Sequence, residues 1–482
     1  MSAVVATSTL EMMPAASWVA VPFISISGSW ETGGNVGGIA FGDDSDIWCE
    51  GELPLSAWAS TGDFIPVRYT TTVGAGTART FTGILTRRER TLTRLTFRAE
   101  GMKKRIAATK AYSPMLNRRP LFTATTASSV DDPASSAWTA GLGNYLFWQA
   151  GGRPYEQAAS YPSAVFYYSC EHAILAPDWT WAAGEDAWAE ALKCAQDSGG
   201  QLYQDANGVV RYRQIVGYGG GTPAETFTTA SYQTLTQTIE PDLLRADKFT
   251  CQYVPRRRLG MQQIADDTTP RHIEPGETIT VVIEPEQPLA TLELTGGLLN
   301  AAALVIAQQD GTRLAQGAGG YTHTVDSKAA RITITITNTS AWPAILYRVV
   351  LRGEPVMATE AGSVSSGSGS IERVLEQSPY IQSRDDAQRA VDMAVAFYGT
   401  ARPVVRVEGV VHSPTRALGD TVALTSSAWG MTAQAHVILG VSHEQGRKTA
   451  LTLADVSDLP TAADFFIVGV TYTSGDTKKL GW

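Results

Sequence analysis

Charge is scarce in this sequence, and so are the residue patterns that reactive chemistry needs. Only 18% of the 482 residues are Asp, Glu, Lys or Arg, and the formal net charge of −9 argues against a globally basic nucleic-acid binder. The four cysteines, Cys49, Cys170, Cys194 and Cys251, lie far apart with no CxxC pair. That argues against a structural zinc site and a disulfide framework, and leaves them as small buried side chains. The six histidines fall in no HxH, HExxH or HxxxH spacing, so no metal site is expected. No run approaches the ~20 apolar residues of a membrane-spanning helix. The first residues, Met1–Phe23, lack a basic stretch, and Glu11 interrupts their apolar run, so they do not read as a signal peptide. A soluble product made in a cytoplasm is expected.

Catalytic patterns are missing as well. No GxxxxGK[ST] phosphate loop occurs, and the glycine clusters Gly33–Gly38 and Gly217–Gly221 lack the strand–turn–helix setting that phosphate binding needs. The run Asp43–Asp46 resembles half a calcium loop without its sixth-position Gly or twelfth-position Glu. Ser442, His443 and Glu444 stand together, but neighbours on a strand point to opposite faces and cannot form a relay. Paired carboxylates for glycoside cleavage need only spatial proximity, and nothing in the sequence selects a pair. No catalytic residue, metal or cofactor is therefore assigned, and the chain is read as non-enzymatic.

What is present is β-rich texture: 45 Gly, with Ala, Ser and Thr abundant, over a length that suggests about three domains. Residues 17–110 read as strands. Ile65–Thr71 and Arg79–Leu85 flank a glycine loop, and Thr91–Ala99 follows, where the positions of Leu92, Leu95 and Phe97 imply a bulge or burial on both faces. Residues 112–199 change to helical spacing at Ser135–Gln149 and again at Gly184–Ser198, the latter stopped by Gly199 and Gly200. Then Gln201–Arg213 carries Asn207-Gly208 between alternating runs, a hairpin signal. Residues 275–355 form an all-β block with strict alternation in Arg331–Thr337, placing Ile332, Ile334 and Ile336 inward, and predict a two-sheet sandwich. Residues 356–370, rich in Gly and Ser, read as a flexible linker. Ser383 starts a helix to Tyr398 with a capping-box-like Asp386, and strands are expected at Pro403–His412, Thr421–Leu424, His436–His443 and Lys448–Ala454. Phe465–Gly469 and Val470–Thr473 look extended.

One segment breaks the low-charge pattern. From Arg79 to Arg119 twelve Lys or Arg face only Glu89 and Glu100, a local charge of +10 that leaves −19 for the rest of the chain. Arg79, Arg87, Arg88, Arg90, Arg94, Arg98, Lys103, Lys104 and Arg105 lead it. It reads either as a solvated strand face with snorkelling Arg or as a docking surface for an acidic neighbour, with direct DNA contact a third reading.

In order and spacing these blocks resemble the hub proteins at the distal end of the tails of long-tailed phages. The resemblance rests on Phe81–Leu85 followed by Leu92–Glu100, on the helix, double Gly and hairpin of Trp188–Arg213, and on Arg331–Asn338 leading to Val349–Pro355. It continues in Ser378–Ser383 with its helix, in Ala417–Val422, and in Val437–Glu444 leading into Leu451–Ala454. It implies a mainly β fold with α+β parts. An N-terminal β-barrel tube domain would span residues 1–111, and a helix-containing middle domain 112–199. A second tube domain would be built from 200–274 plus 371–458, with a sandwich inserted at 275–355 and a C-terminal extension at 459–482. It further implies a homotrimer that adapts a sixfold tail tube to threefold tip components. The partners would be the distal tail protein ring, the tape measure protein and spike or fibre proteins, at a virion tail tip assembled in the host cytoplasm. The acidic remainder of the chain would line a lumen through which DNA passes without specific binding. Because the chain stops at Trp482, a built-in peptidoglycan hydrolase is not expected.

Two other readings are kept open. A carbohydrate-binding adhesin would use the 275–355 sandwich, with Trp342 as the candidate glycan contact. A glycan or peptidoglycan hydrolase would need a carboxylate pair that the sequence does not mark.

Overall fold

The computed structural model describes residues 6–457 apart from 16, 33–44, 57–64, 74–75, 136–137, 163, 216–221, 239–245, 301, 400–402, 411–415, 417 and 445–448. The clusters Gly33–Gly38 and Gly217–Gly221, residues Asp43 and Asp44, and the segments Phe465–Gly469 and Val470–Thr473 lie outside the described residues.

The architecture is mainly β, with four α-helices among the described residues: α1 Lys103–Ala107, α2 Leu142–Gln149, α3 Ala187–Asp197 and α4 Arg384–Tyr398. Seven N-terminal strands come first: β1 Ala6–Ala15, β2 Ser17–Val21, β3 Ser25–Thr32, β4 Ser45–Leu53, β5 Pro66–Val73, β6 Gly76–Arg90 and β7 Leu95–Glu100. They run side by side in the order β3-β4-β7-β6-β5-β1-β2. Strand β7 alternates cleanly, with Leu95, Phe97 and Ala99 buried and Thr96, Arg98 and Glu100 facing out. The irregularity expected there sits instead on its partner, where the β6 register shifts between Leu85 and Arg87. Leu92 belongs to the connecting turn and is 97% exposed.

Strand β3 does not end the sheet. It pairs antiparallel with Met431–Glu444, Trp30 opposite Val441, so the C-terminal strands Val404–Val410, Thr421–Ser426 and Thr449–Asp455 continue the same thirteen-stranded sheet. One apolar core runs beneath both halves. It joins Leu10, Tyr69, Phe81 and Leu95 to Val405, Leu424, Ile438 and Leu453, with Tyr203 among them.

The hairpin Gly200–Gln204 and Val209–Gln214 forms where Asn207-Gly208 predicts it, although only Gly208 takes positive φ (+81°). Asp205 shapes the turn: its buried carboxylate accepts from the N–H groups of Asn207 and Val209 (2.9 and 3.0 Å), a three-residue loop ending in a left-handed glycine. The hairpin pairs in parallel with Phe166–Cys170, in a four-stranded sheet, so its partner strand lies in the 112–199 block and not in residues 371–458. Helix α3 starts three residues later than the spacing predicts, because Ala183–Asp186 pairs with Lys110–Tyr112 and Asp186 then caps the helix. Helix α2 likewise starts at Leu142, leaving Trp138 ahead of it. Ser383 caps α4, its Oγ accepting from Asp386 N at 3.0 Å.

The Gly/Ser linker expected at 356–370 requires correction. Gly362–Gly367 is a strand, antiparallel to Lys248–Tyr253, with Val364 buried and α4 packed on the sheet. Small side chains that signal flexibility in isolation let a helix lie close on these strands. The sandwich has the expected two sheets, and Ile332, Ile334 and Ile336 are fully buried in it. Its strands begin at Arg256–Arg258, ahead of residue 275, because the fifteen-residue strand Ala344–Ala358 is long enough to pair with Arg256–Arg258, Gln262–Asp267 and Arg271–Ile273 in turn.

Candidate assembly interface

The sequence-selected basic residues divide into two groups. Arg87, Arg88, Arg90, Arg94 and Arg98 ride on the β6–β7 hairpin, and Lys103, Lys104 and Arg105 follow on α1. Arg118 and Arg119 lie elsewhere: the first pairs with Asp178 (2.9 Å), and the second stacks its guanidinium 4.5 Å from the Trp138 ring. The side chain of Arg79 lies outside the described ones.

The hairpin turns outward because β6 leaves the core after Leu85, and from Thr86 to Arg94 only Arg88 is half-buried while the rest are exposed. Its charge is less concentrated than the sequence suggests. Strand β4 sets Glu50 and Glu52 beside it, two carboxylates that local counting could not bring to the segment. Arg94 Nη1 reaches both oxygens of Glu52 (2.8 and 3.0 Å). Arg98 lies 3.6 Å from Glu50, 3.3 Å from Glu100 and 5.1 Å over the Trp48 ring. Arg87 pairs with Glu89 at 3.0 Å, and Lys104 with Glu100 at 3.6 Å. Exposed pairs of this kind contribute roughly 0–1 kcal/mol each, so they orient the cations far more than they stabilise the fold. At the base of the hairpin a cavity of about 320 Å³ is lined by Arg98, Lys103, Lys104 and Glu100. Gln204 fixes its floor, accepting from Met102 N (2.6 Å) and donating to the Thr82 carbonyl (2.7 Å). With three cations against one carboxylate, the lining is net positive.

A second cavity, of about 230 Å³, lies between α3 and α4. Phe249, Leu375, Met393 and Tyr398 give it an apolar lining, with Asp197 and Glu376 among its polar groups. Ser378 Oγ donates to Asp197, and Tyr380 OH donates to Glu190 two turns earlier on the same face, so two carboxylates of α3 hold the segment that leads into α4. Burial pushes the Asp197 carboxyl up to about 7, the Ser378 hydrogen bond opposing, and burial also raises Glu190.

Trp342, the candidate glycan contact, is 63% exposed at the tip of the sandwich. Its loop is fixed by Asn338, whose Nδ2 donates to the Trp342 and Ile273 carbonyls (2.8 and 3.0 Å). Among the described residues no group of three or more His, Cys, Asp or Glu is placed to hold a metal ion. No helix among them is long and apolar enough to cross a membrane. The four cysteines are free and buried, and burial raises each thiol, Cys251 to about 12.

No protein-family model matches this chain, and no curated protein does. Among solved structures it is similar to the 43 kDa tail protein of prophage MuSo2 from Shewanella oneidensis, at 8% identity over 94% of this chain and 98% of that one, TM-score 0.46. It is similar to the tail protein from Neisseria meningitidis MC58, at 9% identity over 94% and 98%, TM-score 0.44. Prophage tail protein gp18 from Listeria monocytogenes EGD-e gives 9% identity over 93% and 94%, TM-score 0.41.

Proposed function

We propose that this chain is a non-enzymatic structural protein of a phage tail, a trimeric hub at the distal end that surrounds the DNA channel and adapts a sixfold tube to threefold tip components. The observation that carries this reading is the continuous sheet through β3 and Met431–Glu444, with one core under both halves. Two strand groups fused edge to edge give each subunit two tube-wall segments, so three subunits supply six. Among the described strands the main path of the sheet ends at Ser17–Val21 and at Thr234–Thr238, and Glu225–Phe227, paired to Thr421–Ser426, forms a third, three-residue edge. The strands Ser17–Val21 and Thr234–Thr238 contain no Lys, Pro or charge of the kind that guards a free edge, whereas the side edge carries Glu225. The two uncharged edges suit pairing with another subunit, and a closed ring removes both of them. The basic hairpin, partly neutralised by Glu50 and Glu52, fits docking to an acidic neighbour in the tail better than binding to DNA. Light scattering on the purified full-length chain, with negative-stain images, tests this. A trimeric mass with an axial hole is expected, and a monomer at every concentration would remove the ring.

A carbohydrate-binding role for the sandwich is favoured by one observation, the exposed Trp342 on a loop held by Asn338. Full-length protein and its Trp342→Ala variant on a host-glycan array test it. Saturable binding lost in the variant is the expected result, and no binding by either discards the role.

A further inference from the structure

Leu92 is the most exposed large apolar side chain among the described residues, at 97%, and it does not sit on a loose loop. Its turn is closed by Thr91 N donating to the Arg94 carbonyl (2.9 Å) and by Arg94 N donating to Thr91 Oγ1 (3.0 Å). The chain thus presents an apolar tip on a fixed hairpin, flanked by Arg90 and Arg94. Seating this side chain in an apolar cavity would recover the transfer energy of a leucine.

The chain also carries a receptacle of matching chemistry. The cavity between α3 and α4 holds about 230 Å³. An apolar void of ~150 Å³ already accepts a benzene-sized group, so a leucine side chain has room. Phe249, Leu375 and Met393 line it, and Val374 on its lining is itself 65% exposed. Asp197 and Glu376 on the lining outnumber the single cation Arg373. Burial pushes the Asp197 carboxyl up to about 7, with the Ser378 hydrogen bond opposing and Glu190 and Glu376 adding to the rise.

We propose that the β6–β7 hairpin tip of one copy seats in the α3–α4 cavity of a second copy, Leu92 entering the apolar lining and the flanking arginines meeting Asp197 and Glu376. The occupant is a second copy because an apolar tip set among Arg87, Arg88, Arg90 and Arg94, opposed by Glu52 and Glu89, and an apolar cavity with Asp197 and Glu376 against Arg373 occur on one chain and complement each other in polarity and charge. The two patches are different surfaces, so the contact is head-to-tail and closes a ring when the rotation permits. The inference rests on the ring reading given above and names one of its subunit contacts.

The test uses the full-length chain. A Leu92→Cys variant is mixed with a Val374→Cys variant under mild oxidation, the four native cysteines being buried. A disulfide-linked dimer that forms in the mixture and not in either variant alone is expected. Leu92→Asp, at an exposed tip and checked for folding by circular dichroism, is expected to raise the concentration needed for assembly at least tenfold. If the wild-type chain is trimeric, no mixed disulfide forms and Leu92→Asp assembles normally, this seat is overturned and the hub reading stands. If the wild-type chain is monomeric throughout and no mixed disulfide forms, both fall.

Discussion

Individual side chains set the stability of this chain through burial, and two of them give sharp expectations. Ile334 is fully buried in the sandwich, between Val281 and Val325 on the flanking strands. Truncating such a residue loses transfer energy and leaves a cavity, so Ile334→Ala should cost about 2–5 kcal/mol in denaturant unfolding. Asp197 makes stability depend on pH. Its carboxyl lies near 7 in the fold, through burial first, against the ~3.9 of an unfolded aspartate. The folded chain therefore binds this proton more tightly than the unfolded one. Its contribution to stability is fully present below the unfolded value and is lost as pH rises through about 7. Melting temperatures at pH 5 and pH 8 should show Asp197→Asn gaining on wild type at the higher pH. An equal difference at both would mean that Asp197 is not the titrating group. The alternation that buries Ile334 is legible in Arg331–Thr337, whereas nothing local marks Asp197, whose environment is made by Ser378 from another element.

At the scale of elements, local signals held where one stretch of chain contains all its determinants. Ser383, Asp386 and the small-residue spacing up to Tyr398 lie within a single helix, and that helix forms as expected. Ser383→Ala should destabilise the protein by about 1 kcal/mol in thermal or denaturant unfolding, the ordinary cost of an N-cap hydroxyl. Signals misled where a partner decides. Gly362–Gly367 has the composition of a flexible linker, yet Lys248–Tyr253 supplies hydrogen bonds along its whole length. Amide hydrogen exchange separates the two behaviours: slowed exchange at Val364 and its neighbours is expected, and exchange at random-coil rates would contradict the strand. The basic hairpin belongs to the same class. Its cations were visible in sequence, but their partial neutralisation by β4 was not, because β4 precedes them by a sheet register and not by a spacing.

For the whole molecule the consequential feature is the junction between β3 and Met431–Glu444, which fuses the first and last strand groups over one core. A fragment ending at residue 111 would lose the partner of β3 and would uncover the apolar side of that core. Residues 1–111 expressed alone should therefore be insoluble or lack a cooperative melt, while a soluble fragment with a sharp transition would show that the N-terminal group folds independently. Among the described strands the fused sheet ends in two uncharged edges and a short third one that carries Glu225, and the proposed ring would pair the uncharged two.

By itself the sequence determined what lies within a few residues: the inward isoleucines, the Asn207-Gly208 turn, the Ser383 cap, and the scarcity of catalytic and metal-binding patterns. Those depend on spacing along one chain segment, where side-chain period and backbone preference act directly. Tertiary structure alone decided which strands became neighbours, that a Gly/Ser stretch is a strand, that Glu50 and Glu52 temper the basic hairpin, and that an apolar cavity with an acidic rim opens between α3 and α4. Strand pairing is made by backbone groups common to every residue, so partners hundreds of residues apart carry no local signature of one another.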